Sequence, residues 1–254
     1  MRKTLMLVVC ILSALVFLGS AGMLLHYWQQ DRSDQKVRES LFSLRPLERE
    51  PEENPVPDAE ATPDLDAFSG LLALNPDTIG WLRIEGTVID DVVMYAPLEK
   101  EKYLHRDFYG NDSVRGAFFV DENCDVRTSD NVIIYGHHMK DGTMFGALAD
   151  YQSADFAARH PIVQFHTLYG NHRYEVVAAI NTRILAAGEP GFRYYEYTGS
   201  NDDVKFWEYW NFIQQNRLYD TGVTLQPGDR LLTLSTCAYH AQDGRFILVA
   251  RQVE

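Results

Sequence analysis

An all-β domain, barrel or sandwich, behind an apolar N-terminal segment is the architecture this 254-residue sequence predicts. Eight short segments rich in Val, Ile, Leu, Phe and Tyr, set apart by Gly, Pro, Asn and Asp turn signals, carry that prediction: 80–84, 88–95, 116–120, 131–135, 162–166, 173–181, 230–235 and 245–252. Few long helices interrupt them, and no internal repeat is visible.

The elements follow in order. Arg2 and Lys3 precede an apolar run from Leu5 to Leu25, broken only by Ser13, Gly19, Ser20 and Gly22. Such a run is long enough to cross the roughly 30 Å hydrocarbon core of a bilayer. The leading charges favour a cytoplasmic N-terminus, and His26-Tyr27-Trp28 suits the far interface. Cleavage of a signal peptide near Ser20-Ala21-Gly22 is the competing reading, for which the run is long. Residues 1–28 are therefore expected to be a membrane anchor, single-pass, with the rest of the chain outside the cell. Residues 29–44 are polar and can continue the helix, while 45–66 hold five prolines and eight acidic residues. So polar a stretch cannot bury enough surface to offset its ordering entropy, so 29–66 reads as a tether lifting the domain off the membrane. Residues 67–254 form the folded domain, roughly 190 residues and enough for one proper core. A short helix over 66–74 opens it and Asn75-Pro76 stops that helix. Two further helices are expected, over 144–158 and about 202–218; in the second, Val204, Trp207, Trp210/Asn211 and Gln214 share a face too aromatic for water.

A net charge of −13 argues against a nucleic-acid partner, which rewards basic surfaces. Of three cysteines, Cys10 lies in the apolar run, leaving Cys124 and Cys237. Two cysteines make no disulfide scaffold, although one pair can still bridge.

Chemistry gathers at strand ends. Cys237 closes the run Leu232-Thr233-Leu234-Ser235-Thr236-Cys237, and Arg245 follows eight positions later in Gly244-Arg245-Phe246-Ile247-Leu248-Val249. If a tight turn covers 238–244, for which Gln242-Asp243-Gly244 is suitable, Arg245 returns beside Cys237 on an antiparallel strand. Asn131-Val132-Ile133-Ile134-Tyr135-Gly136-His137-His138 ends a third strand in two histidines, of which one at most faces Cys237. Thiol, imidazole and guanidinium together suit acyl transfer: nucleophile, proton carrier and oxyanion holder. The bland readings are an inert buried cysteine, a solvated loop histidine and an edge-strand arginine. A zinc site of His137, His138, Cys237 and His240 lacks paired-ligand spacing, and no calcium-loop carboxylate cluster appears, so no metal or other cofactor is expected.

These residues resemble a family. The match runs from about Leu71 to the C-terminus, through Leu71–Leu82, Tyr103-Leu104-His105-Arg106-Asp107-Phe108, Asn131–Asp141 with Thr143-Met144-Phe145, Thr233–Cys237 and Gly244–Arg251. It is similar to the class B sortases, membrane-anchored cysteine transpeptidases of Gram-positive bacteria, and the helix at 202–218 favours class B. Two segments depart from the pattern: Ile89-Asp90-Asp91-Val92 lacks a proline common there, and Asp121-Glu122-Asn123-Cys124 differs from the usual continuation.

The resemblance implies an eight-stranded sortase-type β-barrel with a short N-terminal helix and a longer one near 202–218. It implies Cys237 as nucleophile, His137 as its acid/base partner, Arg245 as oxyanion stabiliser and Ser235 as a lining of the substrate groove. Cys237 as thiolate would attack after the threonine of a C-terminal sorting signal on a secreted protein, and His137 as imidazolium would protonate the leaving amine. A thioester would then pass to an amine of a peptidoglycan precursor or a pilin. Two rivals stand: an extracellular cysteine hydrolase of another family, and a non-catalytic membrane-tethered binding domain with a Cys124–Cys237 disulfide. Papain-like enzymes run Cys before His, the reverse of this order, and caspase-like enzymes need alternating strands and helices.

Overall fold

The computed structural model describes residues 2–46, 60–198, 202–238 and 243–253. Eight strands close into a barrel: β1 (Thr78–Arg83), β2 (Asp90–Met94), β3 (Phe118–Val120), β4 (Asn131–Tyr135), β5 (Ile162–Thr167), β6 (Asn171–Arg183), β7 (Leu231–Cys237) and β8 (Gly244–Gln252). Their order around the barrel is β1-β2-β3-β4-β7-β8-β6-β5, closed by the antiparallel β1–β5 pair. All eight lie where the apolar segments between turn signals placed them, with ends shifted by up to two residues. Two pairs, β2–β3 and β4–β7, are parallel, and the second positions the chemistry.

One core fills the barrel and a second lies outside it. Leu232 and Leu234 of β7 and Phe246 and Leu248 of β8 point inward, with Phe118, Phe145 and Phe165. Val177 and Ile180 of β6 and Ile247 and Val249 of β8 point outward under α4 (Asp203–Asn216). Asp202 caps α4, its carboxylate accepting from the N–H groups of Val204 and Lys205. The buried face of α4 is Phe206, Tyr209, Trp210 and Ile213, not the expected one. Val204 and Trp207 are 68% and 50% exposed. Aromatics lie on both faces of this helix, and the sheet takes the face where a Tyr209 hydroxyl meets the Thr233 hydroxyl at 3.0 Å.

The 144–158 segment also differs from a single helix. A 3-10 stretch, Phe145–Gln152, stops at extended Ser153, whose side chain then caps α3 (Ala154–Arg159). The helix opening the domain, α2 (Ser69–Leu74), forms as expected.

The largest difference lies at the N-terminus, where α1 runs unbroken from Arg2 to Phe42. Its apolar part is long and apolar enough to cross a membrane. Its polar part is no free tether, because a stripe at helical spacing (Asp31, Asp34, Arg38, Leu41) and Arg45 just beyond pack on the barrel. Leu41 is 1% exposed, and Val37 and Leu44 join the barrel core. Arg38 Nε donates to Asp91 at 2.6 Å, and Arg45 to Asp90 at 3.0 Å. Most of the proline-rich acidic segment, 47–59, lies outside the described residues. The chain on either side of it is packed: Leu44 lies against Gly70, and Asp64 N–H donates to the Leu168 carbonyl at 2.6 Å.

Candidate active site

Strand register brings three chemical groups to one level on three neighbouring strands. In the β7–β8 hairpin Cys237 pairs with Arg245, and Ala238 N–H donates to the Gly244 carbonyl at 2.9 Å. Asp243 takes the left-handed conformation (φ 54°) that its short side chain tolerates. The rest of the expected turn, 239–242, and with it His240 of the zinc reading, lies outside the described residues. On the other side β4 runs parallel to β7 with Tyr135 opposite Ser235. The ladder continues one step, Gly136 N–H to the Ser235 carbonyl at 3.3 Å and Thr236 Oγ1 to the Gly136 carbonyl at 2.7 Å. His137 therefore leaves β4 next to the end of β7 that carries Cys237.

Alternation sets the face. Thr233 and Ser235 meet hydroxyls of the outer layer, so Cys237 lies on that outer face; Ile247 places Arg245 there too. The Cys237 side is exposed, whereas His137 and Arg245 are half-buried. Gly136 is required before His137: an added Cβ would lie 2.7 Å from both Phe118 and Phe145, whose rings stack with centroids 4.3 Å apart.

The three groups do not hydrogen-bond to one another. His137 Nε2 is 2.6 Å from the Leu104 carbonyl, so that nitrogen carries the proton and Nδ1 keeps the lone pair. Burial pushes His137 below the ordinary imidazole value, the Leu104 contact opposes the shift, and His105, its ring centroid 5.6 Å away, reinforces it. The shift favours the neutral ring in the resting site. Arg245 Nη1 rests on the Gly244 carbonyl at 3.0 Å and the Asp243 carbonyl at 3.4 Å, leaving its other donors for a ligand.

Ser235 is placed differently from a groove-lining residue. It is 1% exposed, its hydroxyl 2.9 Å from that of Tyr194. Tyr194 is the residue sequence reasoning missed. Burial pushes its phenol up to about 12, the Ser235 contact and the nearby Arg245 charge oppose the rise, and Cys237 adds to it. In the sequence it stands only as one of two adjacent tyrosines, Tyr194-Tyr195, with no motif to mark it.

Cys124 is free and buried, as Cys237 is free and exposed. Its sulfur accepts from Ile133 N–H at 3.4 Å and lies 3.5 Å from the Asn131 carbonyl, inside the barrel wall. Burial pushes that thiol up to about 12. The Cys124–Cys237 bond on which the binding-domain reading rested is not formed.

Residues 82–253 match the family model for the Sortase domain, more than half of the chain. This chain belongs to the sortase family. Sortase B of Listeria monocytogenes is 31% identical over 191 residues, 74% of each chain. Sortase B of Staphylococcus aureus is 28% identical over 190 residues, 74% of this chain and 75% of that protein. The crystal structure of sortase B from Bacillus anthracis in complex with AAEK1 superposes with a TM-score of 0.71 at 28% identity, covering 89% of this chain and 99% of that one. The sortase is thus similar to class B members in sequence and barrel alike, and sortases are cysteine transpeptidases. That rules against the unrelated cysteine hydrolase.

Proposed function

We propose that this sortase cleaves a C-terminal sorting signal after its threonine and transfers the new carboxyl end to an amine of a peptidoglycan precursor or a pilin. One observation supports the assignment of roles: Cys237 and Arg245 pair in register on β7 and β8, and His137 follows two residues after the β4 strand end that pairs with Ser235. Cys237 Sγ attacks the threonine carbonyl as its proton passes to His137 Nδ1, the free lone pair of the neutral ring. Arg245 turns its unused donors from the 243–244 carbonyls onto the developing oxyanion. Collapse breaks the C–N bond, His137 gives its proton to the leaving amine, and a thioester on Cys237 remains. An acceptor amine then attacks, His137 takes its proton, and the thiol is expelled and reprotonated. Ser235, buried against the Tyr194 hydroxyl, supports the end of β7 that carries Cys237.

Residues 1–28 anchor the enzyme by one pass with the catalytic domain, 67–254, outside the cell; Arg2 and Lys3 ahead of the apolar run support that orientation. The 29–66 segment divides into a docked helix end and the acidic stretch beyond it.

The test uses the full-length chain in detergent micelles, with fluorogenic pentapeptides of Asn-Pro-x-Thr and Leu-Pro-x-Thr-Gly type, with and without an amine acceptor. Cleavage that yields an amine-dependent product and vanishes in Cys237→Ala is the expected result. Cleavage that never transfers to any amine would overturn transpeptidation as this enzyme's reaction.

A further inference from the structure

Among the contacts that hold α1 to the barrel, one set reaches the loop that begins at His137. Arg115, a buried residue, donates from Nε to Asp31 of α1 at 2.7 Å, and its Nη2 also meets that carboxylate. The same Nη2 donates to Asp141 at 2.6 Å, and Nη1 donates to Thr143. Asp141 and Thr143 lie in the His137 loop, where the His137 carbonyl accepts from Phe145 N–H at 3.0 Å and Asp141 binds both the N–H and hydroxyl of Thr143.

The segment carrying Arg115 also fixes the other end of the histidine. Ser113 Oγ donates to Asp34 of α1 at 2.8 Å and accepts from the N–H groups of Arg115 and Gly116. Gly116 (φ 59°) passes so close to residues 103–104 that a Cβ would lie 2.5 Å from the Leu104 carbonyl oxygen, the atom that holds His137 Nε2. Both the ring's acceptor and the ring's own loop therefore converge on residues 113–116. Asp31 and Asp34, one turn apart on the docked face, grip that segment from α1. Two further ion pairs among the described residues, Arg38–Asp91 from α1 and Arg45–Asp90 just beyond it, end on β2 instead.

We propose that Asp31 of the juxtamembrane helix, acting through Arg115, is a positioning residue for the catalytic histidine. This rests on the reading of His137 as the acid/base group. The fork of Arg115 is satisfied on two sides at once, by α1 and by the loop, and neither carboxylate alone fixes its orientation. Loss of the α1 side lets the guanidinium follow Asp141, and the His137 loop moves with it. The stretch just outside the membrane is then part of the enzyme rather than a spacer beneath it.

The experiment compares Asp31→Asn, Asp31→Glu and Arg45→Gln in the full-length chain in detergent micelles, with His137→Ala as reference. Peptide cleavage gives kcat and KM, its pH profile gives the acidic limb, and thermal unfolding gives Tm. Asp31→Asn is expected to lower kcat about tenfold with KM within about twofold, as loss of alignment does. Its acidic limb moves toward the ordinary imidazole value as the ring is released to water. Asp31→Glu restores both, and Arg45→Gln lowers Tm while sparing kcat and the limb. Equal effects of Asp31→Asn and Arg45→Gln on all three readouts would make α1 a mere clamp and overturn the proposal. An active His137→Ala would instead defeat the reading of His137 itself, whatever Asp31 does.

Discussion

Two free thiols in this barrel show how far position outweighs residue type. Cys124 is 2% exposed, its sulfur held by strand backbone, and burial pushes it up to about 12. Cys237 ends a strand on the open face, with a guanidinium opposite it in register and an imidazole one strand away. The first is an apolar wall residue that happens to contain sulfur. The second has the access that the first lacks, with a histidine and an arginine at neighbouring strand ends, the setting the proposed chemistry needs.

The contrast breaks most sharply under alanine substitution. Cys237→Ala should lower peptide cleavage at least roughly a thousandfold with Tm almost unchanged. Cys124→Ala should do the opposite, keeping activity while costing about 1–3 kcal/mol of stability in denaturant unfolding. Comparable activity losses in the two variants would erase the distinction.

Arg245→Lys comes next. It keeps the charge at the position opposite Cys237 but loses the fork, and steady-state kinetics should show kcat/KM down roughly a hundredfold. Full activity in that variant would remove the oxyanion role. Smaller still is Gly136→Ala, whose Cβ meets the stacked Phe118 and Phe145 rings at 2.7 Å. Displacement of His137 should cost about tenfold in kcat, with the rate of Cys237 alkylation by iodoacetamide above its His137-linked limb little changed.

The smallest effect is one of pH. Because burial lowers His137 below 6.5, its neutral, proton-accepting form persists to lower pH than a free imidazole would allow. The acidic limb of kcat/KM should therefore fall below pH 6.5. Stability carries the same sign: the unfolded chain takes up the proton first, so stability drops as pH falls from 6.5 through the lowered folded value. A limb at 6.5 would mean a solvated ring, and one above it a ring paired with an anion.

Much of this was legible in the chain. The strands are apolar runs between turn residues, and Cys237, His137 and Arg245 stand out because polar chemistry at the end of a buried strand is unusual. What stayed hidden depends on tertiary partners. The docked face of α1 mixes Asp31, Asp34 and Arg38 with Leu41, so no apolar stripe announces it until Ser113, Arg115 and Asp91 are beside it. The buried face of α4 was misread because aromatics occur on both of its sides. Ser235 looked like a groove residue from its place before Cys237, yet Tyr194, forty-one positions earlier, covers it. The surroundings of His137 were hidden for the same reason: Leu104, which accepts from its ring, and the burial that lowers its pKa come from residues remote in sequence.

The most direct measurement is to trap the acyl-enzyme. Full-length enzyme carrying Cys10→Ser would be mixed with a cleavable sorting peptide, quenched in acid within one turnover, digested and mapped by mass spectrometry. The account predicts a thioester-linked peptide, ending in the signal's threonine, on the fragment containing Cys237, with Cys124 unmodified. Turnover with an acyl group on Cys124, or with no covalent adduct on Cys237 at any quench time, would contradict it.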